Sequence, residues 1–155
     1  MTTEANLWQF ALHTYQRTGV AERLLRWQDE QQISINLVLW LLWLEQKGVA
    51  ATAALAQQGQ EHIADWHREH TAPLRQMRRQ LKAKGLNNPA LADYYKQLKE
   101  AELAAEKVEL QLLEKLVPSG GDKPLTPGTN LTPYLNSHKV DADQQQAFLV
   151  LVAQV

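Results

Sequence analysis

The sequence predicts an all-α fold, a single-domain helical bundle of six or seven helices with a long antiparallel helical hairpin. Three observations carry this expectation. Apolar residues recur every three or four positions through most of the chain, as in helices with one buried face. No strand-like alternation reaches a useful length. Leu37 to Leu44 are eight consecutive apolar residues with no polar face at either period, so protein must enclose them and they mark the centre of the core. That run is far short of the roughly 18 to 20 apolar residues that cross a bilayer, and Glu45, Gln46 and Lys47 close it at once.

An N-terminal cluster is expected over residues 3–59. Thr3 caps a first helix over about 4–17, with Leu7, Trp8, Ala11, Leu12 and Tyr15 on one face, and Thr18-Gly19 ends it. A shorter second helix, about 20–31, carries Leu24, Leu25 and Trp27. Ser34 caps the all-apolar helix and Gly48 terminates it. Alanine-rich residues 50–57 suit a short helix ending near Gly59.

A hairpin follows over 60–117. Its first arm, about 60–84, keeps helical spacing from Ile63 through Trp66, His70, Leu74, Met77 and Leu81 despite Pro73, so it should bend there. Gly85 to Pro89 is a compact turn in which Asn88 caps and Pro89 takes the first helical position. The return helix runs to about Val117 with two apolar stripes, one through Leu98, Ala105 and Leu112, the other through Leu103, Leu110 and Leu113. Two stripes require two neighbours. Four prolines and three glycines make 118–137 a loop, flexible at Ser119-Gly120-Gly121 and anchored by Tyr134-Leu135. Asp141 or Asp143 caps a last helix within 141–155.

Composition narrows the function classes. Sixteen Lys+Arg stand against 17 Asp+Glu, a net of −1 that argues against a general nucleic-acid coat. With no cysteine, disulfides, thiolate metal sites and cysteine nucleophiles are ruled out. Met1 to Asn6 do not read as a signal peptide, so a cytoplasmic protein with no membrane partner is expected.

An ordered series of fragments adds a resemblance. It runs Leu7-Trp8-Gln9-Phe10-Ala11-Leu12, Gly19-Val20, Trp27-Gln28-Asp29, Asn36-Leu37, Leu42-Trp43-Leu44, Trp66, Pro73-Leu74-Arg75, Arg78-Arg79, Ala101-Glu102-Leu103 and Tyr134-Leu135. In this order it resembles the DUF2390 family of small bacterial proteins, over about residues 7–135. The resemblance implies a helical, cytoplasmic, single-domain protein with no established activity. The family has Gly and Asp where Gln32 and Ser34 stand here, and a serine cap does the same local job as an aspartate cap.

Four constellations invite chemistry, and each has a structural alternative. Glu61 to Glu69 with His62, His67 and His70 gathers three imidazoles and three carboxylates. Yet His62 has Trp66 one turn on, and His67 with His70 leaves zinc short of a third ligand, so a solvated helix face is preferred and no metal or cofactor is expected. Arg75, Arg78, Arg79 and Lys82 share one side of their helix. They either bind an anion or acidic partner, or pair with Glu102, Glu106 and Glu109 across the hairpin. A split is expected, with Arg75 or Arg78 paired and Arg79 with Lys82 more exposed.

Gln28, Asp29 and Asn36 either floor a pocket lined by Trp8, Trp27, Trp40 and Trp43, or cap the helices they border. Finally, no Gly-x-Ser-x-Gly elbow, phosphate loop or His-Glu-x-x-His motif occurs, so no residue argues for an enzyme. The leading expectation is a non-enzymatic protein-interaction or regulatory module with an unknown protein partner, nucleic acid being disfavoured. The alternative is a small-ligand-binding protein taking an anionic or apolar ligand near Gln28, Asp29, Asn36 and Trp43. A cavity of roughly 300 Å3 or more with converging polar groups would favour the alternative.

Overall fold

The computed structural model describes residues 6–116, 121 and 123–153. Asn6 caps α1 (Leu7–Tyr15): its side chain accepts from the Gln9 amide at 2.8 Å, and the Gln9 side chain accepts the Asn6 amide in return. Thr3, expected in that role, lies outside the described residues. Helix α2 (Val20–Gln31) packs Leu24 and Trp27 inward, and α3 (Ile35–Gln46) starts at the Ser34 cap, whose hydroxyl accepts from the Leu37 amide at 3.3 Å. Every residue of α3 from Leu37 to Glu45 is buried. The reason is its neighbours: α1, α2, α4, α6 and α7 all lie against it, so no side faces water.

Between α2 and α3, Gln32 adopts a left-handed backbone with φ 57°. A side chain there costs energy that glycine avoids. Gln32→Gly should therefore stabilise the fold by about 0.5–1 kcal/mol, read as a rise in urea midpoint. An unchanged or lower midpoint would sink the expectation.

The first arm departs from the sequence-based expectation. Rather than ending near Gly59, the alanine-rich segment is the start of α4 (Ala53–Trp66), capped by Thr52, and runs straight through that glycine. Gly59 is buried against the six-membered ring of Trp40, where a Cβ would sit 2.5 Å from ring carbon. Its role is close packing, which sequence spacing does not reveal. Further on, the accommodation of Pro73 lies in the wide π-turn His67–Thr71, where the Ala72 amide donates to the His67 carbonyl five residues back. Widening the turn relieves the contact between a proline ring and the carbonyl four residues earlier. Helix α5 (Ala72–Lys84) then continues, so α4, the π-turn and α5 form one rod.

Asn88 caps α6 (Pro89–Glu114), accepting from the Leu91 amide at 2.9 Å. The helix stops at Glu114, and Val117 lies outside the described residues. No residue from Ala72 to Gln97 is buried, and α5 packs mainly on α6. The distal hairpin is thus an arm supported by little beyond itself.

The expected 118–137 loop contains a helix, α7 (Leu131–Ser137), in which Pro133 falls in the first turn where no amide partner is needed. What holds it is a buried clasp. The Glu45 carboxylate accepts the Asn130 and Leu131 amides at 2.8 and 3.2 Å, while the Asn130 side chain donates to the Leu41 and Val49 carbonyls and accepts the Ala51 amide. A carboxylate at a helix N-terminus also meets the positive end of the helix dipole. Of the expected flexible residues, Ser119 and Gly120 lie outside the described residues. Gly121 is tied by its amide to the Lys47 carbonyl. Tyr134 and Leu135 anchor the segment as expected, the Tyr134 hydroxyl accepting the Ser34 amide at 3.0 Å. Asp141 rather than Asp143 caps α8 (Ala142–Ala153), which buries Phe148 against Trp27. With α4 to α5 taken as one rod, the described residues form seven helices and no strand.

A candidate binding groove between the hairpin and the N-terminal helices

An open groove of about 780 Å3 runs between the hairpin and α1 to α3. Helix α1 contributes Trp8, Leu12 and Tyr15; α2 contributes Leu25 and Gln28; α3 contributes Asn36 and Leu39. The opposite wall is α5 with Arg75, Arg78, Arg79 and Lys82, and α6 with Tyr95, Lys96, Lys99, Leu103 and Glu106.

Beneath the rim lies a ladder of carboxylates on α6. Glu102, Glu106 and Glu109 sit one turn apart and face α5 and the π-turn. Arg75 donates to Glu102 at 3.0 Å and to Glu106 at 2.9 Å, and Arg78 forks onto both oxygens of Glu102. Glu109 is 1% exposed and receives Asn36 Nδ2 at 3.3 Å and His67 Nδ1 at 3.1 Å. Burial raises the Glu102 pKa, but the Arg78 and Arg75 guanidiniums outweigh it and hold the group below its ordinary range. Glu106 goes the other way: burial dominates over Arg75 and lifts its pKa. Burial and the Glu106 charge also push the Tyr15 phenol up, so it stays protonated and offers a hydrogen-bond donor rather than a nucleophile. The pairing with Glu102 drives Arg78 higher still.

The sequence-predicted site residues divide. Gln28 and Asn36 line the groove, while Asp29 stands beside it and pairs with Arg79 at 3.3 Å, joining α2 to α5. Arg75 and Arg78 pair within the hairpin; Arg79 reaches α2 instead of the return helix and keeps about half its side chain in water. Lys82 is exposed on the rim and makes no ion pair among the described residues. Trp43 does not belong here. It is buried in the core with the Lys47 ammonium 4.7 Å from its ring centroid. Trp27 and Trp40 are likewise core, so Trp8 alone of the four expected tryptophans lines the groove. A helix buried all round has faces remote from any one cavity, and Trp43 occupies one of those.

Sequence reasoning missed Tyr15, Tyr95, Lys96, Lys99 and the apolar trio Leu12, Leu25 and Leu103. Seven large hydrophobic residues are exposed among the described residues, and that trio supplies three of them to one concavity. Leu103 sits on a stripe expected to pack, yet it is 48% exposed because the groove opens beside it. In the histidine-rich segment, His67 serves Glu109, His70 stacks on Trp66 and Asp65 pairs with Arg68. Among the described residues no three His, Asp or Glu side chains converge in metal-binding geometry.

A family model described as Protein of unknown function (DUF2390) matches residues 6–113. The chain belongs to DUF2390. Neither a curated protein nor a solved structure matches it. Every residue lining the groove of this DUF2390 protein lies within the matched stretch, whereas α7 and α8 lie beyond it. Among the described residues no helix is long and apolar enough to cross a membrane.

Proposed function

We propose that this DUF2390 protein binds a small amphipathic anion in the groove, without catalysing its conversion. The observation that carries the reading is the pairing of exposed apolar wall and cationic rim in one concavity of about 780 Å3, within the range of small-ligand sites. Trp8, Leu12, Leu25 and Leu103 offer an apolar body contact. Arg75 and Arg78 are held by carboxylates, which leaves Lys82, Lys96, Lys99 and the half-exposed Arg79 for a carboxylate, phosphate or sulfonate head. The protonated Tyr15 phenol and the Gln28 amide add neutral donors. No activated nucleophile accompanies them, which favours binding over chemistry.

The test uses anilinonaphthalene sulfonate, an apolar fluorophore with one anionic group. One equivalent should bind with a blue-shifted, enhanced emission. Leu103→Glu, and separately Lys82→Glu with Lys96→Glu, should each weaken binding at least tenfold while leaving the melting temperature within a degree or two. Decanoate should displace the dye. Dye binding that ignores both sets of substitutions would defeat the proposal, as would failure to bind at all.

A further inference from the structure

The buried Glu109 carboxylate does more than close the ladder on α6. Both of its oxygens are taken, Oε1 by Asn36 Nδ2 at 3.3 Å and Oε2 by His67 Nδ1 at 3.1 Å. A carboxylate only accepts hydrogen bonds, so each contact fixes its donor. The Asn36 amide turns Nδ2 toward Glu109, which leaves Oδ1 directed the other way. The His67 ring carries its proton on Nδ1, which in the neutral ring leaves a lone pair on Nε2. Neither Oδ1 nor Nε2 has a partner among the described residues, and both stay open to solvent. Asn36 and His67 both line the groove. One buried side chain thus holds two bare acceptors at its wall, Asn36 from α3 (Ile35–Gln46) and His67 from the π-turn His67–Thr71. Around them the lining is apolar: Leu39 is one turn on from Asn36, and Leu110 is next to Glu109.

The free cations stand at the other end. Lys99 is ten residues before Glu109 on α6 (Pro89–Glu114), about 15 Å along the helix, and Lys96 is farther still. Between the two ends Arg75 and Arg78 are neutralised by Glu102 and Glu106, beside the exposed Leu103. The groove therefore runs from a cationic end near the hairpin tip, past an apolar middle, to a pair of acceptors at the π-turn.

Resting on the reading that the groove holds an amphipathic anion, we propose that this ligand carries a hydroxyl at the end of its apolar body, about 15 Å from its anionic head, and that His67 and Asn36 receive it. The acceptors fix the orientation. An anionic head at the π-turn would meet two lone pairs and the Glu109 carboxylate, so the head belongs with Lys82, Lys96 and Lys99. They also fix the group at the far end. A hydroxyl brings a donor proton without a second charge, an alkyl end leaves both acceptors unsatisfied, and an ether oxygen sets lone pair against lone pair. Glu109 touches no ligand itself; it is a positioning residue that holds the amide and the imidazole in the accepting state.

At about pH 8, where an ordinary imidazole is neutral, full-length protein is titrated calorimetrically with dodecanoate, ω-hydroxydodecanoate and ω-methoxydodecanoate. The hydroxy acid should bind about fivefold tighter than the other two, the size expected of one partly solvated hydrogen bond. His67→Phe combined with Glu109→Gln, which leaves no buried charge without its partner, should make the three acids bind alike. Lys82→Glu with Lys96→Glu should weaken all three together and leave the advantage of the hydroxyl in place. A methoxy acid that binds as tightly as the hydroxy acid overturns the proposal on the unaltered protein alone, and so does an advantage that survives the loss of His67. If dodecanoate binds and displaces anilinonaphthalene sulfonate but the hydroxyl adds nothing, the groove reading stands and the hydroxyl assignment falls. If none of the three acids binds, both fall.

Discussion

Replacing Gly59 by alanine should destabilise the protein by about 2 kcal/mol, the reverse of the usual effect of that substitution in a helix. In an exposed helix interior, alanine is better than glycine by up to about 1 kcal/mol. Here the added methyl would meet Trp40 Cζ3 at 2.5 Å and a second ring carbon at 2.9 Å. Trp40 is fully buried in α3 and packed on all sides, so the indole has nowhere to swing. Either α4 moves off the core or the ring leaves its rotamer. Urea denaturation of the two proteins decides the matter, and a more stable Gly59→Ala variant would show that the helices separate freely. Trp40→Leu made in the Gly59→Ala background should recover part of the loss, since the two effects are coupled through one contact.

Glu102→Gln should cost about 3 kcal/mol at neutral pH, because one substitution leaves two guanidiniums short of their charge partner. The three side chains are mostly buried: Glu102 is 9% exposed, Arg75 17% and Arg78 21%. Arg75 keeps Glu106, but Arg78 keeps no carboxylate among the described residues. The pH dependence distinguishes this cause from a loss of packing. Glu102 has a depressed pKa in the fold, so its stabilisation is complete above its ordinary value and is lost as pH falls through the lower, folded one. Glu106 has a raised pKa, so the folded state takes up its proton more readily and gains stability as pH falls through the folded value toward the ordinary one. Acidification should therefore first meet the favourable Glu106 step and only afterwards the unfavourable Glu102 step. In Glu102→Gln the second loss should vanish. A variant that still loses stability to the same extent at the acid end would separate the effect from Glu102.

The large features were legible because periodicity and capping act over short distances. Leu37 to Leu44, the Ser34 and Asn88 caps and the Gly85 to Pro89 turn all appear where local chemistry puts them. The pairing of Arg75 and Arg78 with α6 was also legible, since matched stripes on antiparallel neighbours must meet. What stayed hidden depends on long-range contacts. Glycine at position 59 reads as a stop until Trp40 is seen against it. Pro133 reads as part of a loop until Glu45, 86 residues before Leu131, is found accepting the amides that start α7. The groove was half visible. Four of its cations form a run in sequence, but its apolar wall comes from Trp8 and Leu12 on α1, Leu25 on α2 and Leu103 on α6, and each alone looks like ordinary core.

The π-turn at His67–Thr71 amounts to one extra residue inserted into an otherwise continuous helix. Because this turn holds five residues where an α-turn holds four, α5 leaves it in nearly the phase of an uninterrupted helix. Deleting one residue from His67–Thr71 should therefore convert it to an ordinary α-turn and keep Arg75, Arg78, Arg79 and Lys82 facing Glu102 and Glu106, while pressing the Pro73 ring on the carbonyl four residues back. A residue lost or gained in the regular helix just before Arg75 finds no such slack, and would rotate those cations by about 100° away from their partners. The wide turn is thus the one place in the rod that can take up a change of length, and the groove survives there what would dismantle it a turn later.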